Sequence, residues 1–221
     1  VLFRKDQTEN ECLNDIHFPT YAFWRTIKNN YSEFQEKIKK ILYTEESFNN
    51  ALNFKSTNLM ESAINEYTLR RMSRGGMKKT FAWSNRLRGG KPGDQNAWEN
   101  SIKSLNKISE RIKNVELLNS DFRQVINLYN DEQALMYLDP PYLKDTRISK
   151  EVYDHEMTRE DHIDLLNLCR TSQSKIILSG YHSDLYKEML SGWRKKKKKI
   201  VNHSSQLKNK NHKIEHIWMN F

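Results

Sequence analysis

Ala134-Leu135-Met136-Tyr137-Leu138-Asp139-Pro140-Pro141-Tyr142 is a short apolar run that stops abruptly at two prolines. The run is too short for a helix, and the prolines cannot continue one, so it predicts a buried parallel strand. Asp139 then stands at the carboxyl end of a strand, where open α/β sheets bind ligands. Pro140 and Pro141 fix φ and offer carbonyls without an N–H of their own, which makes the turn stiff and rich in acceptors. Tyr142 adds a flat aromatic face. These groups suit a planar ring carrying an exocyclic amine: Asp139 and the Pro140 carbonyl accept its two protons while Tyr142 stacks on the ring.

The rest of the composition bounds what can surround this stretch. A chain of 221 residues buries one sizeable core with room for a small inserted lobe. Five Trp, ten Tyr and nine Phe supply core material although 29% of the residues are charged. The formal charge of +9 favours a polyanionic partner, because counterions released from phosphates drive binding. Cys12 and Cys169 belong to no metal-ligand spacing, and with His203, His212 and His216 likewise unpatterned, no metal is expected. A reducing cytoplasm fits. No apolar run approaches the roughly 20 residues of a membrane span, so no membrane partner is expected. The start, Val1-Leu2-Phe3-Arg4-Lys5, is no signal peptide, and without an initiating Met the chain reads as one whose beginning is missing.

Upstream of the central stretch, Glu11 to Ile16 predicts a short strand that includes Asp15. Tyr21, Trp24, Ile27, Tyr31, Phe34, Ile38 and Ile41 then recur at helical spacing from Pro19 to about Leu42, one buried stripe. From Thr44 to about Gly93 the periodicity weakens, apart from a helix over 61–72, and the stretch reads as an insertion. It contains Arg70, Arg71, Arg74, Trp83, Arg86, Arg88 and Lys91 among four glycines: Arg grips phosphates or guanine edges, and Trp83 stacks. A solvated basic loop packed by its own aromatics is the bland alternative. Trp98, Ile102, Leu105, Ile108 and Ile112 restore a helix over 97–113, which feeds a strand that starts at Val115 and ends at Asp121-Phe122. Asp121 is a good N-cap for the next helix, and Asp15 reads equally as a capping or loop acid.

Downstream, Thr158-Arg159-Glu160-Asp161 predicts a capped amphipathic helix, and Lys175 to Tyr181 a buried strand. Arg194 to Val201 and Lys213 to Phe221 predict a closing β-hairpin. The six consecutive cations there read as an exposed edge strand charged against aggregation, with DNA attraction secondary.

The Asp-Pro-Pro-Tyr motif, with Asn14-Asp15 before a helix, Asp121-Phe122 after a strand and Ser179-Gly180-Tyr181 at the end of another, resembles the Dam-like D12 class of adenine-N6 DNA methyltransferases. The resemblance implies an α/β Rossmann-like class I methyltransferase sheet with helices on both faces. Residues 1–43 and 97–221 would form the catalytic core and 44–96 an inserted target-recognition segment. It implies S-adenosylmethionine as methyl donor, held by Asp15 at its ribose and by Asp121 and Phe122 at its adenine, with Asp139 close by. Asp139, Pro140, Pro141 and Tyr142 would be catalytic. The partners implied are double-stranded DNA and a restriction endonuclease, in a bacterial or phage-infected cell. Tyr153, in the loop after the motif, is a candidate contact for the target base or a packing residue.

One family feature has no counterpart. Such enzymes hold the cofactor over a glycine-rich loop upstream of the ribose acid, and the first glycine here is Gly75. A fragment lacking strand one is the simplest expectation, and a reordered enzyme the other. An RNA exocyclic-amine methyltransferase and a non-catalytic nucleic-acid-binding remnant stand as alternative functions.

Overall fold

Cys12–Asn14 (β1) lies parallel to Glu116–Leu118 (β4), with Cys12 opposite Glu116 and Asn14 opposite Leu118. The computed structural model describes residues 1–84, 86–88, 90–147, 154–201 and 212–221, so Tyr153 and His203 lie outside the described residues. The chain divides into two compact units, Val1–Asn119 and Ser120–Phe221.

In the first unit, helices α1 (Phe18–Asn29), α2 (Tyr31–Lys39), α3 (Glu45–Asn53), α4 (Leu59–Met72) and α5 (Gly93–Ile112) surround one core. The single helix expected over 19–42 is broken at Asn30, which has φ −134° and ψ 40°. Its N–H bonds Thr26 and its carbonyl accepts from Phe34, so it closes α1 and opens α2. Consecutive Asn29 and Asn30 are poor helix formers and favour such a break. The stripe survives it, with Ile27, Phe34 and Ile38 fully buried.

The stretch 44–96 contributes to this same core through Phe48, Ala51, Met60, Ala63, Tyr67, Leu69 and Met72. Thr44 caps α3 by accepting from the Ser47 N–H, and Asn58 caps α4 by accepting from that of Glu61. Among the described residues, only β2 (Leu87–Arg88) and β3 (Lys91–Pro92) form strands within 44–96, as a short antiparallel pair. Ser109 of α5 donates to the Ile27 carbonyl at 2.7 Å, tying the last long helix to α1.

The second unit holds α6 (Phe122–Leu128), β5 (Leu135–Leu138), α7 (Arg159–Thr171), β6 (Lys175–Tyr181), α8 (Asp184–Met189), β7 (Arg194–Val201) and β8 (His212–Met219). Its sheet runs β5-β6-β8-β7, with β5 and β6 parallel and the other pairs antiparallel. Ile176, Leu178, Gly180, His216 and Trp218 alternate onto one face, where α7 and α8 cover them with Leu165, Leu166, Cys169 and Tyr186.

The expectation that Leu135 to Leu138 is buried on both faces needs correction. Met136 and Leu138 pack on the core, whereas Leu135 is 59% and Tyr137 40% exposed. Side chains alternate along the strand, so one of its faces packs on the core while the other, with Leu135 and Tyr137, stays open. The capping box expected at Thr158 and Asp161 is present.

Gly180 lies inside β6. A Cβ there would stand 3.3 Å from the Trp218 ring and 3.5 Å from that of Tyr186. Gly180→Ala must displace a close-packed tryptophan, so denaturant unfolding should show a loss of about 1–3 kcal/mol.

His162 is fully buried. Its Nδ1 shares a hydrogen bond with the Tyr186 hydroxyl at 2.9 Å, and its Nε2 has no partner among the described residues. Burial holds this imidazole down at about 4. The unfolded chain therefore binds the extra proton between about pH 6.5 and 4, and stability is lost as pH falls through that window. His162→Gln should flatten the stability profile between pH 7 and pH 4.5 by about 2 kcal/mol, read by urea unfolding at the two pH values.

Candidate active site

Asp139 follows β5 directly. Its Oδ1 accepts a hydrogen bond from the Ser179 hydroxyl at 2.6 Å, and the same hydroxyl lies 3.1 Å from the Leu138 carbonyl. Ser179 reaches both because β5 and β6 run parallel in a register pairing Leu138 with Leu178. The next residues, Asp139 and Ser179, then fall side by side on the face away from α7 and α8. Among the described residues nothing donates to the Pro140 carbonyl, which leaves it available as an acceptor.

Tyr142 is fixed at two points. Its hydroxyl donates to Glu215 of β8, and its ring meets that of Tyr181 edge-on at 4.5 Å between centroids and 70° between planes. Burial, the Glu215 hydrogen bond and the nearby carboxylates all push the Tyr142 phenol upward, so it remains a neutral donor. The result is a patch holding a carboxylate, a proline carbonyl and an oriented ring. Such a patch can accept two N–H bonds from an amine and hold the plane of the ring that carries it.

Glu215 was missed by sequence reasoning. The available signal was a lone acid in the alternating strand Ile214-Glu215-His216-Ile217-Trp218, in a region otherwise basic.

Of the residues expected to hold a cofactor, Asp15 lies in the first unit, just after β1. Its Oδ1 accepts from the His17 N–H at 2.9 Å, and its own N–H bonds the Leu118 carbonyl. Among the described residues no donor reaches its second oxygen. Asp121, in the second unit, caps α6 by accepting from the Arg123 N–H at 2.8 Å, and it also pairs with the Arg123 guanidinium at 3.2 Å. Arg123 is held further by Asp161 at 2.6 Å and Asp164 at 2.7 Å. Hydrogen bonding to Arg123 keeps the Asp161 carboxyl down at about 2. The Arg123 guanidinium carbon lies 4.4 Å from the Phe122 ring centroid.

The basic residues read as DNA contacts all belong to the first unit. Arg70 is bound to Glu66, a carboxylate with 5% side-chain exposure that also holds Lys78 at 3.3 Å and accepts from Thr20 at 3.4 Å. Arg71 donates to the Ala97 carbonyl at 3.3 Å. Arg74 opens a 3-10 turn in which Gly75 has φ +61°. Trp83 is half exposed with its ring stacked near Phe81, and Arg86 is exposed. Arg88 and Lys91 belong to the backbone pairing of β2 with β3. Among the described residues no group of three or more His, Cys, Asp or Glu side chains could hold a metal, and no helix is long and apolar enough to cross a membrane.

The family model for D12 class N6 adenine-specific DNA methyltransferases matches residues 1–208. The chain belongs to that family. It is thus a DNA methyltransferase specific for adenine N6, from a family whose methyl donor is S-adenosylmethionine and whose substrate is DNA. Among individual proteins, it is 26% identical over 196 residues to the type II methyltransferase M.CviBI of Paramecium bursaria Chlorella virus NC1A, an alignment covering 85% of this chain and 71% of that one.

In this methyltransferase, the bonds from Ser179 to Asp139 and from Tyr142 to Glu215 hold side chains in place. Ser179→Ala should lower kcat for DNA methylation about tenfold, the loss of roughly one hydrogen bond to a charged group, and leave the KM values for DNA and methyl donor nearly unchanged. Glu215→Gln, which keeps an acceptor for Tyr142, should retain more activity than Glu215→Ala.

Proposed function

We propose that this chain carries out its family's reaction through Asp139, Pro140, Pro141 and Tyr142, on an adenine flipped out of duplex DNA. The single observation that carries the assignment is the joint fixing of an acceptor and a ring on one sheet face. Ser179 holds Asp139, while Glu215 and Tyr181 hold Tyr142. Base flipping costs a few kcal/mol, and stacking on an already oriented ring offsets part of that cost without further ordering of the protein.

Asp139 and the Pro140 carbonyl each accept one N–H of the exocyclic amine. This aims the nitrogen lone pair away from both acceptors and raises its electron density. S-adenosylmethionine, when bound, supplies an electrophilic methyl group on a sulfonium. Asp139 need not be a strong base, because N6 passes a proton to that carboxylate only after it has gained the methyl, when the nitrogen is cationic; orientation and fixed charge carry most of the acceleration. Tyr142 keeps the base plane from turning.

The donor and acceptor set is compatible with that methyl donor. Asp15 has a carboxylate oxygen open to a ribose hydroxyl, and Asp121 with Phe122 would border the adenine, Asp121 by sharing its carboxylate with Arg123. We place the catalytic core in residues 1–43 and 97–221, in a Rossmann-like arrangement, and DNA recognition in residues 44–96. Arg71, Arg74, Trp83, Arg86, Arg88 and Lys91 are its proposed contacts, with Arg70 secondary because Glu66 already engages it. Similarity to a type II methyltransferase of a Chlorella virus supports a restriction endonuclease as functional partner.

Incubation with labelled S-adenosylmethionine and unmethylated duplex DNA should place label in N6-methyladenine. Asp139→Ala should abolish it, a fall of at least a thousandfold, with DNA affinity within twofold of wild type. Retained turnover in that variant would sink the assignment, and preferential labelling of structured RNA in competition would move the substrate to RNA.

A further inference from the structure

After Glu188, the chain holds nine Lys and Arg and a single acidic side chain, Glu215. Six of these cations, Arg194 to Lys199, are consecutive and form most of the edge strand β7. Guarding an edge against other strands takes a charge or two, and a run on both faces goes well beyond that need.

The register separates the six into two groups. Lys195 stands opposite Trp218, Lys197 opposite His216 and Lys199 opposite Ile214, on the face that α7 and α8 cover. The Lys195 ammonium lies 5.3 Å from the Trp218 ring centroid. Arg194, Lys196 and Lys198 stand opposite Met219, Ile217 and Glu215, on the other face. That is the face of Ser179 and Tyr181, which oppose Ile217 and Glu215 from β6.

Glu215 sits between the two sides, and its carboxylate already accepts from Tyr142. Arg194, Lys196 and Lys198 are exposed, and among the described residues none has an ion pair with a carboxylate. Between β5 and β7 lie three strand spacings, about 14 Å, which matches the rise of about four base pairs along a duplex.

We propose that Lys196 and Lys198, with Arg194, form a phosphate rail on the face of the sheet that carries Asp139 and Tyr142, and that it grips the DNA backbone a few nucleotides from the target adenine. The inference rests on the DNA reading above. It adds a second contact surface, distinct from residues 44–96, that is indifferent to base sequence because it touches phosphate alone.

The test is binding of the full chain to a short labelled duplex by fluorescence anisotropy over a range of salt concentrations. The double variant Lys196→Gln/Lys198→Gln should bind about tenfold more weakly at low salt, with a slope of log K on log salt shallower by about two. Lys196→Arg/Lys198→Arg should restore both. Lys197→Gln/Lys199→Gln, on the helical face, should change the slope less than half as much.

Unchanged affinity and slope in the first variant would overturn the rail. So would equal effects from the two faces, or a loss of solubility with unaltered DNA binding, which would leave the lysines as an edge guard. Wild-type protein that binds duplex DNA with the expected slopes yet forms no N6-methyladenine would overturn the catalytic reading and leave the rail standing. Methylation by wild type, with wild-type binding in the first variant, would remove the rail alone.

Discussion

The parallel pairing of β5 with β6 is the constraint on which the second unit depends. Side chains alternate along a strand, so a slip of one residue would turn Ser179 toward α7 and α8 and leave Asp139 without its donor. The register is held by burial: Ile176 and Leu178 are fully buried beneath the helices, and a slip would exchange them for Ile177 and Ser179. Gly180 contributes by omission, because the Trp218 ring occupies the space that a side chain would fill. The hydrophobic face thus sets the geometry of the polar one, and the hydrogen bond at Asp139 depends on packing on the other side of the sheet.

The two groups of basic residues differ in how far their charge is already committed. In the first unit Glu66 is 4% exposed, and a buried carboxylate of this kind is tolerable only when surrounded by donors. Arg70, Lys78 and Thr20 provide them, so Arg70 serves the core of the unit as much as any surface. Glu11 is a second instance, with its carboxyl held down at about 2 chiefly by the hydrogen bonds from Arg111. Among the described residues no carboxylate forms an ion pair with the lysines of β7. Lysines two apart on one face of a strand repel one another, and a polyanion would relieve that repulsion.

Much of this was legible in the sequence, for reasons that differ by element. The strand before Asp-Pro-Pro-Tyr, the helix over 97–112 and the capping box at Thr158 carry local signals: length, period and cap chemistry. The break at Asn30 was hidden because the apolar stripe continues through it at helical spacing, and only the weak helix preference of two asparagines marked the site. The 44–96 stretch read as an insertion because its apolar residues are sparse in sequence, yet Phe48, Tyr67 and Met72 are buried once α3 and α4 form. Burial of β5 was overestimated because a continuous apolar run does not reveal whether both faces of a strand are covered, and Leu135 and Tyr137 lie on the open one.

The candidate site follows the same division. Asp139 and Tyr142 stand in one short motif, whereas Glu215 is 73 residues from Tyr142 in the chain and is joined to it only by the register of β8 on β6. No local pattern encodes that meeting. Its consequence is a ring of fixed orientation, since the hydroxyl is anchored at one end and Tyr181 bears on the plane. Ordering a free tyrosine at the moment of binding costs rotamer entropy, and a ring already held avoids that cost. The motif supplies the carboxylate and the ring; Ser179, Tyr181 and Glu215, brought to them by sheet register, fix both in place.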